Sequence, residues 1–114
     1  MSGLTTHVLD MTLGRPAADV EVRLRRLGAD ADLLVATRTD ADGRARLCEG
    51  AALAPGCHRI EFEIGRYFRS AGVATLEPGF LECVAIEFQV LDASAHHHVP
   101  LLVSPFGYST YRGS

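Results

Sequence analysis

Apolar and polar residues alternate with a period of two along three stretches of this chain, residues 20–25, 59–64 and 84–90. Side chains on a strand point to opposite faces in turn, so each stretch has one apolar and one polar face. This pattern is typical of half-buried antiparallel strands. We therefore predict three strands that each cover a core with one face.

Five less regular stretches are also predicted as strands: residues 4–9, 33–39, 45–48, 97–104 and 108–111. Turn residues separate them, and the Asp42-Gly43 pair supplies the positive φ that a tight hairpin needs. Only residues 66–71 suggest a short helix, bounded by Gly65 and Gly72. About eight short strands and one helix predict an all-β fold, a β-sandwich.

The length of 114 residues favours a single domain spanning residues 1–114. A domain of this size can bury a core but has little volume left for a deep cavity of its own. We therefore expect an enclosed small-molecule site to lie between subunits.

Charge, apolar content and cysteine spacing argue against several classes of protein, among them nucleic-acid-binding, membrane and disulfide-rich proteins. The 11 Lys and Arg residues are interspersed with 14 Asp and Glu residues, so we expect no nucleic-acid partner. No apolar run approaches the roughly 20 residues of a membrane helix, and no secretory signal is visible, so a cytoplasmic protein is expected. The 3 cysteines are widely spaced and odd in number, which argues against a disulfide framework or a thiolate metal site.

Histidine is distributed unusually, with His7 near the start of the chain and His96, His97 and His98 in a run. On a strand, His96 and His98 share one face and His97 points to the other. Three interpretations stay open at this point. His7, His96 and His98 could bind a zinc ion that activates water. One histidine from each end could act as a general base, or all could be edge-strand residues without chemistry.

The C-terminal segment, residues 106–114, combines two tyrosines, hydroxyl side chains and Arg112. A chain end frays unless something holds it, so we expect this polar and aromatic cluster to be docked. Arg44, just after the Asp42-Gly43 turn, indicates on its own no more than a solvated charge.

Four motifs together resemble one family. They are Leu-Thr-Thr-His-Val-Leu-Asp at residues 4–10, Gly-Arg-Pro-Ala at 14–17, Thr-Asp-Ala-Asp-Gly-Arg at 39–44, and residues 98–114, which run from His-Val-Pro-Leu-Leu to Tyr-Arg-Gly-Ser. The chain is similar to the 5-hydroxyisourate hydrolase family, the transthyretin-related enzymes of urate catabolism. The final Tyr-Arg-Gly-Ser is the most specific element, because it separates these enzymes from transthyretin, the thyroid-hormone carrier of the same fold.

The resemblance implies a transthyretin-like β-sandwich that assembles into a homotetramer, with active sites in the channel where two dimers meet. It implies that water hydrolyses the N1–C6 amide bond of 5-hydroxyisourate to give 2-oxo-4-hydroxy-4-carboxy-5-ureidoimidazoline, on the route from urate to allantoin. No metal or organic cofactor is implied. A transthyretin-like carrier of small ligands and a zinc-dependent amide hydrolase are the alternatives.

Carried over one at a time, the family's catalytic residues fall on His7, Arg44 and His98. We expect the two histidines to form an acid–base pair and Arg44 to grip the substrate and stabilise charge at its carbonyl. The substrate-binding residues are His7, Arg44, Tyr111, Arg112, Gly113 and Ser114. His97 replaces the tyrosine that the family commonly has between its two histidines, and we expect this to change packing or a subunit contact rather than the chemistry.

Overall fold

Two sheets packed face to face account for most of the computed structural model, which describes residues 3–49, 53–73 and 77–113. Within these ranges the elements are β1 Gly3–Asp10, β2 Arg15–Pro16, β3 Glu21–Leu27, β4 Ala31–Arg38, β5 Arg44–Glu49, β6 Gly56–Glu63, α1 Ile64–Ser70, β7 Cys83–Val90, β8 His96–Ser104 and β9 Gly107–Thr110. The predicted all-β fold with one short helix is confirmed. No helix in the described part of the chain is long and apolar enough to cross a membrane.

The first sheet is built around β1. Strand β8 pairs with β1 in parallel, and β9 continues the sheet beyond β8. On its other side β1 pairs with β5 over Gly3–His7 and then with β2 at Leu9 and Asp10. The second sheet has the order β4-β3-β6-β7, and all of its pairs are antiparallel. The three alternating stretches are strands, as their pattern predicts, and the structure places them next to one another as β3, β6 and β7.

Alternate residues of both sheets fill the space between them. The fully buried side chains include Leu4, Val8, Val22, Leu24, Ile60, Phe62 and Leu101. Burying one such side chain stabilises the fold by about 1.5–3 kcal/mol. The alternate positions face outward, and on the first sheet these include His7, His96 and His98.

Three local predictions need correction. Ile64 was expected to extend a strand, but it begins α1, because Ile64, Tyr67 and Phe68 recur at helical spacing and are all buried. The turn at Gly43 has the expected positive φ of 76°, but it joins β4 to β5 in different sheets and is therefore not a hairpin. The two-residue β2 lies in a segment that the sequence predicts as a loop.

A buried polar pair fixes the far end of β1. The Tyr67 hydroxyl donates to Oδ2 of Asp10 at 2.8 Å, while Oδ1 of Asp10 accepts the backbone N–H groups of Thr12 and Leu13. Burial, followed by the bond to Asp10, raises the pKa of Tyr67. These bonds tie β1 to the helix and hold the strand that carries His7.

Candidate active site

The register of the first sheet brings three predicted site residues to its outer face. His7 on β1 lies opposite Arg44 on β5, and Thr5 on β1 lies opposite His98 on β8. Thr5 and His7 are two residues apart, so their side chains share one face. His7, Arg44 and His98 are therefore neighbours across three adjacent strands, although they come from distant parts of the sequence.

His7 is held by the turn that precedes Arg44. Its Nε2 lies 2.9 Å from the carbonyl oxygen of Asp42. Because a carbonyl can only accept, Nε2 carries the hydrogen, and in a neutral ring Nδ1 has the free lone pair. Oδ1 of Asp40 accepts the backbone N–H groups of Asp42 and Arg44 at 2.9 and 3.0 Å. One turn thus orients both the imidazole and the start of the strand that bears the guanidinium.

This turn requires glycine at position 43. A Cβ there would lie 2.5 Å from the carbonyl oxygen of Val8, and the carbonyl of Gly43 itself accepts the Val8 N–H at 2.7 Å. Combined with the positive φ, this close approach excludes a side chain. The backbone contact places Arg44 beside His7.

His98 is half-buried and lies near Arg44, His7 and His96. Burial lowers the pKa of His98, and the nearby charges of Arg44, His7 and His96 lower it further, while a backbone hydrogen bond with Thr5 acts in the opposite direction. At pH 7 the ring of His98 is therefore neutral and able to accept a proton.

Thr5 is a residue of this site that the sequence analysis missed. Its Oγ1 lies 2.9 Å from Nδ1 of His98 and 3.1 Å from Nε2 of His96. Strand alternation could have identified Thr5, because it precedes His7 by two residues and so lies on the same face of the predicted strand.

The backbone of the C-terminal segment is held against β8, as expected of a docked chain end, but the side chains of Phe106, Tyr108 and Tyr111 are exposed. The Gly113 N–H donates to the carbonyl oxygen of His98 at 2.7 Å, and the two residues form an antiparallel bridge. A Cβ at position 113 would collide with Cδ2 of the His98 ring and lie 3.1 Å from Cγ. Only glycine allows the backbone to lie against this imidazole.

Of the other predicted substrate-binding residues of the C-terminal segment, those that the structure describes do not line the depression that Arg44 lines in the same chain. Tyr111 and Arg112 line a groove of about 290 Å³ between β7 and β8, together with His97 and His98. Arg44 lines a separate open depression of about 330 Å³ with Thr5, Thr6, Asp40, Ala45 and Arg46. Thus Tyr111 and Arg112 share a groove with His98, whereas Arg44 lines a different depression. Ser114 lies outside the described residues.

His97 points away from the candidate site, as strand alternation predicts. It is 5% exposed, and its Nδ1 lies 3.0 Å from the carbonyl oxygen of Ala95. Its position on the inner face supports the expectation that the exchange from tyrosine affects packing.

The three histidines of the zinc interpretation do not converge on one point. Nε2 of His7 bonds to a carbonyl, whereas Nε2 of His96 and Nδ1 of His98 both point to Thr5. Within residues 3–49, 53–73 and 77–113, no three His, Cys, Asp or Glu side chains are placed to hold a metal ion. The arrangement suits proton transfer better than metal binding.

Comparisons with known proteins show the family and the fold of this chain. A family model described as the HIUase/Transthyretin family matches residues 4–113. The 5-hydroxyisourate hydrolase of Caulobacter vibrioides is 56% identical over 100% of this chain and 100% of its own length. The structure of Klebsiella pneumoniae 5-hydroxyisourate hydrolase has a TM-score of 0.82 at 36% identity, covering 99% of this chain and 100% of that one. Sea bream transthyretin in complex with thyroxine has a TM-score of 0.87 at 26% identity, covering 97% of this chain and 94% of that one.

Proposed function

Because the chain belongs to the HIUase/transthyretin family, we propose that it is a hydrolase that opens the ring of 5-hydroxyisourate. The reaction cleaves the N1–C6 amide bond with water and yields 2-oxo-4-hydroxy-4-carboxy-5-ureidoimidazoline, a step in the degradation of urate to allantoin. The observation that carries this proposal is the meeting of His7, Arg44 and His98 on one open sheet face.

The neutral ring of His98 suits the role of general base. His98 takes a proton from water as the water oxygen attacks C6, and the C6–N1 bond then breaks. N1 leaves with a proton supplied by the acid–base pair of His98 and His7. A positioned histidine contributes about 10²–10⁴-fold to such a reaction.

Arg44 suits the binding of a urate-like ring and the stabilisation of its reacting carbonyl. Its guanidinium is always charged and presents a planar fork of donors, which matches adjacent carbonyl and amide groups. The side chain is exposed at the depression that it lines. A preorganised donor at a developing oxyanion contributes on the order of 10²–10³-fold.

A homotetramer would supply the enclosure that one chain lacks. The depression at Arg44 is open to solvent, and an enclosed site strengthens the electrostatic interactions made inside it. Phe80 and Phe106 are 74% and 71% exposed and stack with ring centroids 6.2 Å apart, which supports a separate subunit contact at the turn between β8 and β9. In the assembly, Tyr111, Arg112 and Ser114 would complete a neighbour's site.

The proposal covers one catalytic domain, residues 1–114, that acts in the cytoplasm without a cofactor. The three cysteines are all unpaired, which suits a reducing compartment.

The decisive experiment is ultraviolet kinetics on freshly generated 5-hydroxyisourate with and without the protein, because the compound also decays spontaneously. We expect the protein to accelerate the decay, and His7→Ala and His98→Ala each to slow turnover by at least about 10²-fold. Near-native turnover of both variants would refute the acid–base pair. Saturable binding without acceleration would instead favour a carrier, and loss of activity on removal of stoichiometric zinc would favour a metal hydrolase.

A further inference from the structure

Thr5 lies between two imidazoles on the outer face of the first sheet. Its Oγ1 is 2.9 Å from Nδ1 of His98 and 3.1 Å from Nε2 of His96. A threonine hydroxyl has one hydrogen to donate and two lone pairs that accept. It can therefore accept from one ring while it donates to the other.

The ring of His98 is confined on two sides. Thr5 holds Nδ1, and the backbone of Gly113 lies against Cδ2 on the other side of the ring. Nε2 is the ring nitrogen that remains for water or substrate. Its protonation state in the neutral ring depends on whether Nδ1 carries the hydrogen.

We propose that Thr5 is a positioning residue that keeps neutral His98 in the tautomer protonated on Nδ1. Thr5 Oγ1 accepts the N–H of His98 and donates its own hydrogen to Nε2 of His96. Nε2 of His98 then has a lone pair for the proton of the attacking water. This inference rests on the proposed hydrolase function, because only a base at Nε2 gives the tautomer a catalytic consequence.

No proton passes through Thr5 in this scheme. When His98 accepts the proton from water at Nε2, the imidazolium keeps its Nδ1 hydrogen in the bond to Thr5. The hydrogen on Nε2 is then available to the leaving nitrogen, and the ring returns to its starting tautomer. The opposite orientation, with Thr5 donating to Nδ1, would place the hydrogen of the neutral ring on Nε2 and remove the base.

Two substitutions separate the hydroxyl from the shape of the side chain. Thr5→Val keeps the branched side chain and removes the hydroxyl, whereas Thr5→Ser keeps the hydroxyl. Thr37→Val is the same substitution on β4 of the other sheet. Among the described residues, the Thr37 side chain makes no hydrogen bond. This variant is the matched control.

The first measurement is the tautomer of His98 at pH 7.5, read from long-range ¹⁵N–¹H correlations of ¹⁵N-labelled imidazoles and assigned with His98→Gln. We expect Nδ1–H in the native protein, in Thr5→Ser and in Thr37→Val, and a shift toward Nε2–H in Thr5→Val. The second measurement is steady-state kinetics. Partners that orient a metal-bound histidine contribute about 10–100-fold. We expect a loss of the same order here, so kcat of Thr5→Val should fall by about 10–100-fold with little change in KM.

The proposal requires both the tautomer shift and the loss of kcat in Thr5→Val, together with rescue by Thr5→Ser. Nε2–H in the native protein, an unchanged tautomer or kcat in Thr5→Val, or an equal loss in Thr5→Ser overturns it. If the native protein does not accelerate decay of 5-hydroxyisourate, the proposed function fails, and that result is separate because the spectra report the tautomer without turnover.

Discussion

The backbone N–H of Gly113 donates to the carbonyl oxygen of His98 at 2.7 Å, which fixes the C-terminal segment directly against the imidazole. This contact couples the C-terminal motif to the histidine that we propose as the base. It also explains the glycine in that motif, since the ring of His98 occupies the space that a side chain would need.

Gly113→Ala should reduce kcat by about 10-fold or more, because its methyl group displaces a ring that must be held within about 0.5 Å of its productive position. Gly107→Ala is the control in the same segment, since its Cβ would meet only Oγ of Ser104 at 4.0 Å. Steady-state kinetics and thermal unfolding of both variants test this prediction. Equal kcat values in the two variants would contradict it.

The acid limb of the pH–rate profile should lie at lower pH than the titration of an unperturbed histidine. Because burial and the charge of Arg44 lower the pKa of His98 from 6.5, the neutral base persists at lower pH than in a free imidazole. The acid limb of kcat/KM, which reports the free enzyme, should therefore have its midpoint below 6.5.

Arg44→Gln provides the matched test of this cause. Removing the positive charge removes one of the effects that lower the pKa of His98, so the acid limb should move to higher pH. The comparison uses kcat/KM of the native protein and the variant between pH 5 and 8. An acid limb in the same place for both would show that Arg44 does not act on this histidine.

Arg44→Lys should lower kcat/KM by on the order of 10²-fold, because lysine keeps the charge and loses the planar fork of donors. Its control is Arg59→Lys on β6, where Arg59 pairs with Glu87 at 3.5 Å in the other sheet. Comparable kcat/KM values for Arg44→Lys and the native protein would remove the guanidinium from the proposed mechanism.

The pH dependence of the stability should come in part from His58, a buried histidine that takes no part in the reaction. His58 is fully buried, its Nδ1 lies 3.1 Å from the Gly56 carbonyl oxygen, and its Nε2 has no partner among the described residues. Burial lowers the pKa of His58, and the neighbouring Arg26 and His97 lower it further despite the bond to Gly56.

Because this pKa lies lower in the folded than in the unfolded chain, the unfolded chain binds more protons as pH falls below 6.5. The free energy of unfolding should therefore decrease from pH 7 to pH 5, with a slope from His58 of at most about 1.4 kcal/mol per pH unit. His58→Phe should show a shallower decrease in urea titrations at one protein concentration. Parallel curves for the two proteins would contradict the prediction.

The local structure of this protein is predictable from its sequence alone. Strand alternation in residues 20–25, 59–64 and 84–90 predicted three strands and their buried faces, and the same rule placed His97 opposite His96 and His98. The motifs at the two ends of the chain identified the family, which the matches over residues 4–113 confirm. These features depend on residues that are close together in the sequence, so they can be predicted without the three-dimensional structure.

Which distant residues meet depends on the three-dimensional pairing of the strands. The parallel pairing of β1 with β8 sets Thr5 beside His98, and the antiparallel pairing with β5 sets His7 beside Arg44. Alternation identifies the face of a strand but not its neighbour or register, because pairing depends on contacts between segments far apart in the chain. For the same reason, the site role of Thr5 and the need for glycine at position 113 became visible only in three dimensions.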